Sequence, residues 1–199
     1  MLLQERTPAP AFIAASKLAA VERHPLTVRI LHWVNAIALS GLIATGFLIY
    51  IKHFERAALE IHIGCAIVFA AAGAGYLVEF VGSRRWSLLL PRASSWLDAV
   101  RVALHDLGVR HHVSRDGRYN GAQKIAYTLV LLMAFGQVIT GFALYFRGAV
   151  APLVDTLGGR AMVHREHLVL TLVIVAFIAV HVVQVIRSGR RAFQAISLG

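Results

Sequence analysis

Four runs of roughly twenty mostly apolar residues, none interrupted by proline, restrict this chain to one kind of fold. They cover residues 30–51, 61–81, 125–146 and 168–186, and the last is taken as part of a span that begins near residue 164. A helix needs about 20 such residues to cross a hydrocarbon layer, where the backbone must satisfy its own hydrogen bonds. All five prolines fall outside the runs, so unbroken helices are expected. The expected fold class is all-α: a four-helix transmembrane bundle forming a single unit over residues 1–199, with no internal repeat or second domain visible. With 58% apolar and 15% charged residues, against about 45–50% and about 25% in soluble domains, a water-soluble globule is excluded. So is the nucleic-acid partner that a net charge of +10 would otherwise suggest.

The basic residues instead report orientation. Fifteen of the twenty Lys and Arg lie in the N-terminal tail, the segment 82–124 and the C-terminal tail, and five lie in the two other connections. The positive-inside rule then places both termini and the long central loop in the cytoplasm. The residues before Pro25 lack a basic start followed by a long apolar core, so they are read as a tail rather than a cleaved signal. Within the central loop, Ser95 is placed to cap a short helix with Asp98 as its reciprocal partner, and Trp96, Val100, Leu104 and Leu107 share one apolar face. That pattern fits a helix on the membrane surface, held by Arg92 and Arg101, or one packed on the bundle.

Chemistry enters through histidine. The chain has ten, and a single cysteine, Cys65, which excludes a disulfide framework, a zinc cluster and a C-x-x-C-H haem attachment. Ionisable groups inside spans are costly and are read as functional. His32, His62, His167 and His181 lie within spans or at their mouths, whereas His24, His53, His105, His111 and His112 fall in tails or loops. The direction of each span puts His32 and His181 near the cytoplasmic face and His62 and His167 near the outer one. On the fourth helix, 14 residues advance about 1400° and about 21 Å, which brings His167 and His181 to the same side at two depths. His164 fits worse, about 100° away from His181 around the axis, but remains a competitor for the outer level.

Two imidazoles at each of two depths on facing helices are what a porphyrin iron requires, since four equatorial nitrogens leave two axial positions. The expected pairs are His32 with His181 at the cytoplasmic level and His62 with His167 at the outer level. Two stacked haems would then form an electron path across the membrane, with both axial positions filled and no coordination site for oxygen. Arg29, one turn before His32, is placed to hold a haem propionate or to anchor the interface. Gly41, Gly46, Gly64, Gly73, Gly75, Gly136 and Gly141 either admit a flat macrocycle or serve as small-residue helix contacts.

The run Arg29-Ile-Leu-His32-Trp33, the run Tyr119-Asn120-Gly-Ala-Gln123-Lys124 and the two histidines 14 apart in the fourth span resemble the cytochrome b subunits of bacterial formate dehydrogenases, nickel-iron hydrogenases and thiosulfate reductases. The similarity covers about residues 28–195. It implies a multi-pass subunit of the bacterial cytoplasmic (inner) membrane with two b-type haems, exchanging electrons with membrane quinone. It also implies a catalytic partner at the outer face, of the molybdenum and iron–sulfur type. By the same resemblance Asn120, Gln123 and Lys124 are quinone-site candidates, the alternative being helix-entry polarity with a snorkelling lysine; Glu79, near the cytoplasmic end of the second span, either delivers protons there or faces water. Two other readings are weighed against this one. A stand-alone di-haem cytochrome would pass electrons from a small donor such as superoxide to quinone. A histidine-relay transporter would show inverted repeats and broken helices at the midplane, features not seen here.

Overall fold

A computed structural model describes residues 24–52, 55–84, 86, 90–106, 108, 120–146 and 148–197. Four helices in it are long and apolar enough to cross a membrane: α1 (Leu26–Ile51), α2 (Arg56–Gly82), α4 (Gly121–Tyr145) and α6 (Arg160–Ser188). Three shorter ones join them: α3 (Ala93–Asp106), α5 (Ala151–Thr156) and α7 (Arg190–Ile196). Among the described residues there is no strand. Each long helix starts about four residues before its expected span, because hydropathy registers only the apolar length whereas helical hydrogen bonding continues through the polar flanks. Leu107, Tyr119, His53, His111, His112 and the tail before residue 24 lie outside the described residues.

The long helices form two antiparallel hairpins, α1 with α2 and α4 with α6. Backbones pack closely within each hairpin and only sparsely between the two. Small residues permit the close packing: Ala38, Ala58, Ala72 and Ala143 are buried, alongside Val28, Val163 and Ile174. The large apolar side chains point the other way, with Ile37, Val78 and Ile186 more than 70% exposed. For a chain in lipid, that outward apolar surface is the solvated one.

The end of the bundle that carries both termini is tied by two short helices. The turn into α7 needs Gly189 at φ 74, a left-handed conformation that favours glycine. The C-terminal segment then lies against the start of α1. His24 N–H donates to the Ala195 carbonyl at 3.1 Å, Arg29 Nη1 to Ser197 at 2.6 Å and Trp33 Nε1 to Ile196 at 3.0 Å. Trp33 and Phe193 meet edge to face at 6.3 Å.

The second tie is α3, and it corrects the expected cap. The helix begins at Ala93, so Ser95 sits in its first turn, buried, with its hydroxyl accepting from Arg92 N–H at 3.0 Å. Asp98 does not return to Ser95. It reaches across to accept from Gly121 N–H, one of the donors left open at the start of α4. Asn120 and Gln123 close the same helix start with a reciprocal capping box. α3 packs on α4, as the second of the two expectations had it, and leaves Trp96, Leu97 and Val100 exposed.

A Cβ on Gly121 would collide with the Ser95 carbonyl oxygen and stand 2.8 Å from Asp98 Cβ. Asp98→Ala should cost about 0.5–2 kcal/mol, the range for losing a helix cap. Gly121→Ala should cost at least as much and free α3 from α4. Thermal unfolding in detergent, with limited proteolysis of the segment between α2 and α4, measures both.

Candidate functional site

The four singled-out histidines come together in two pairs, each bridging the two hairpins. His32 on α1 faces His181 on α6 with ring centroids 6.4 Å apart and planes at 58°. His62 on α2 faces His167 on α6, also at 6.4 Å, with planes at 65°. The first pair lies at the terminal end and the second at the opposite, hairpin end. It is His167, not His164, whose ring faces His62, and His164 is exposed. At the terminal end Trp33 meets His32 edge-on at 5.7 Å, and Phe177 stacks on His181 at 6.1 Å and 11°.

The separation can be compared with what a shared metal requires. A metal–imidazole bond is about 2.0–2.1 Å long and a ring centre lies about 1.2 Å behind its nitrogen, so two imidazoles on opposite sides of one metal have centres about 6.4 Å apart. Both pairs match that value. Among the described residues no three His, Cys, Asp or Glu side chains gather to hold a bare ion. Donors in twos suit a metal that arrives with its equatorial ligands already in place, as iron in haem does.

Arg29, at the start of α1, gives Nη1 to Ser197, while its Nε is buried with no hydrogen-bond partner. A buried guanidinium N–H without a partner fits a carboxylate. Asn120 and Gln123 are engaged in the capping box of α4, and Lys124 follows them, half-buried. Glu79 is half-buried in the last turn of α2 at the same end.

The hairpin-end pair has a further set of contacts that reading the sequence for costly groups did not find. Thr45 Oγ1 lies 3.0 Å from His62 Nδ1, and Thr140 Oγ1 lies 2.8 Å from His167 Nδ1. A Cβ on Gly46 would come within 3.3 Å of the His62 ring, and one on Gly141 within 3.4 Å of the His167 ring. One turn earlier, Gly41 faces Cys65 and Gly136 faces Leu170, each three residues after the histidine. The same unit is thus built twice, from Gly41-Leu-Ile-Ala-Thr45-Gly46-Phe-Leu-Ile-Tyr50 and Gly136-Gln-Val-Ile-Thr140-Gly141-Phe-Ala-Leu-Tyr145. This corrects the expectation of no internal repeat. The shared pattern G-x-x-x-T-G-F-x-x-Y was the available signal.

Residues 23–196 match the family model described as prokaryotic cytochrome b561. The chain is similar to the putative protein-methionine-sulfoxide reductase subunit YedZ1 of Azospira oryzae, with 25% identity over 183 residues, covering 81% of this chain and 89% of that one. No solved structure matches it significantly.

Close approach within the hairpins rests on glycine, and the two copies should respond differently to a side chain. A Cβ at Gly41 would sit 2.7 Å from Cys65 Sγ, close to the backbone, whereas Gly136 would meet only a Leu170 methyl at 3.1 Å. Gly41→Val should cost about 1–3 kcal/mol by overpacking, and Gly136→Val less, because the leucine end can swing away. Thermal unfolding of the detergent-solubilised protein gives both values.

Proposed function

The chain belongs to the prokaryotic cytochrome b561 family, so it is a multi-pass membrane protein that binds haem b, and we propose that it is a di-haem electron-transfer subunit. In this reading it carries electrons between a catalytic oxidoreductase at the outer face of the bacterial cytoplasmic membrane and the quinone pool. The observation that carries it is the 6.4 Å separation found at both imidazole pairs. Haem held by two imidazoles supplies one-electron exchange and offers no open coordination position.

His62 and His167 would hold one haem, His32 and His181 the other, and the unpartnered Nε of Arg29 would take a propionate of the second. The excess of Lys and Arg at the terminal end supports a cytoplasmic position for that end. The hairpin end therefore faces outward, where Asp155 and Arg160 line a hollow between α4, α5 and α6 that a partner can use. The relative's description as a reductase subunit supports an oxidoreductase partner. Quinone would exchange at the cytoplasmic end. There a cleft lined by Phe80, Leu90, Leu131 and Leu132, with Tyr127 and Thr128, suits an isoprenoid chain beside a polar ring. Lys124 stands one turn before them, its neighbours Asn120 and Gln123 being held in the cap.

Protein purified from haem-replete membranes should show about two haems b per chain in a reduced-minus-oxidised spectrum. His32→Ala and His181→Ala should each remove the same haem, and His62→Ala and His167→Ala the other. A colourless preparation, or equal loss of both haems in all four variants, would overturn the reading. For the quinone end, Lys124→Ala should keep both haems but slow their reduction by a quinol analogue in stopped-flow measurements.

A further inference from the structure

The hydroxyls beside His62 and His167 are constrained in a way that fixes the chemistry of the rings they touch. Thr45 Oγ1 lies 2.6 Å from the Gly41 carbonyl, and Thr140 Oγ1 lies 2.8 Å from that of Gly136. Each is the carbonyl four residues back, the usual recipient of a threonine proton within a helix. A hydroxyl has one proton. With it given to a carbonyl, which can only accept, the oxygen can meet Nδ1 only as an acceptor, so Nδ1 carries the hydrogen. Nε2 is then the nitrogen with a free lone pair, the one a metal binds.

The ring's position is fixed by the same segments. Gly46 and Gly141, next to each threonine, leave no Cβ between helix and imidazole. Thr140 is buried, so water does not compete for its oxygen. Two separate stretches of the chain arrive at the same contact, with the same order of Gly, Thr and Gly, which makes a chance rotamer a poor explanation.

We propose that Thr45 and Thr140 are positioning residues: they set the tautomer and orientation of His62 and His167 and lower the reduction potential of the haem those histidines hold. This rests on the di-haem reading above. An Nδ1–H donated to a fixed acceptor raises the basicity of the ring and its donation through Nε2. Stronger donation favours ferric over ferrous iron. Loss of the hydroxyl should therefore shift the balance toward the reduced form.

The test uses the full-length holoprotein in detergent and a spectroelectrochemical titration of both haems. Thr45→Val and Thr140→Val keep the shape of the side chain and remove the hydroxyl. Thr140→Val should raise the ferrous-to-ferric ratio at fixed potential by about threefold to tenfold, equivalent to about 28–59 mV for a one-electron couple. Thr45→Val should act in the same direction but less, because the Leu42 carbonyl also accepts a hydrogen bond from His62. Only one haem should move, the one deleted by His62→Ala. The haem of His32 and His181, flanked by Trp33 and Phe177 rings, is the internal control. Thr45→Ser and Thr140→Ser retain the oxygen and should restore the parent potential. If a valine variant sheds that haem, its retention by the serine variant supports the assignment, and its loss from both overturns it. Unshifted potentials in valine variants that hold both haems also overturn it, as does an equal shift in the serine variants. A parent protein without two haems would instead sink the di-haem reading itself, so the two failures are told apart.

Discussion

An imidazole in an apolar layer must find partners for two ring nitrogens, and in this molecule that demand governs how the helices are arranged. Within each hairpin, alanine and glycine let the backbones close on one another. Between the hairpins they do not close, and the side chains that reach across include the four histidine rings, 6.4 Å apart in each pair. At that spacing the two rings of a pair are not joined by a direct hydrogen bond. The spacing makes sense as a distance set by something held in common. The sparse packing between hairpins and the paired rings are thus one constraint seen from the backbone and from the side chains.

The repeat explains why one pair is symmetric and the other is not. At the hairpin end, the second helix of each hairpin supplies the histidine and the first supplies the threonine. At the terminal end the pair comes from α1 and α6, the first helix of one hairpin and the second of the other. Extending the repeat, the position matching His32 is Tyr127, 13 residues before the motif threonine in both copies. The position matching His181 is Tyr76, 14 residues after the histidine in both copies. A duplicated hairpin would offer two equivalent terminal-end sites, and in this chain only one has imidazoles. The other has two phenols, and the cleft that includes Tyr127 opens between the same two helices, α2 and α4. The asymmetry leaves the two seams different at one end of the bundle: one bears the histidines and the other offers apolar space.

The four spans and the phase of His167 with His181 were legible in the sequence because both depend on strong, simple signals: hydropathy over twenty residues, and a rigid 100° step per residue. The pairing partners followed from depth alone. Thr45 and Thr140 were not legible by that route. A threonine in a membrane helix satisfies itself on the carbonyl one turn back, at little cost, so it does not stand out as an ionisable group does. Only comparing the chain with itself would have exposed them, through a pattern of five fixed positions in ten. Asp98 was assigned to its own helix because capping rules are local, whereas its acceptor serves Gly121, 23 residues on. The C-terminal helix α7 was read as a tail because seven residues carry too little periodicity to register.

Those two missed ties bear on the seams between the hairpins. Backbone packing does not set the distance between α1 and α6, yet His32 and His181 must keep a fixed separation. The strap that does so begins at Gly189, directly after α6, and its terminal carbonyls receive Arg29 and Trp33, which flank His32 on either side. The end of one helix is thereby tied to the start of the other at the level of the ring pair. On the opposite seam the chain leaving α2 forms α3, and Asp98 and Ser95 hold that helix against Gly121 at the start of α4. At each seam a short helix that comes next in the chain after one long helix grips the start of another. At the histidine-bearing seam the strap fixes the spacing of α1 and α6, whose backbones stay apart, which close packing cannot do where the rings need room.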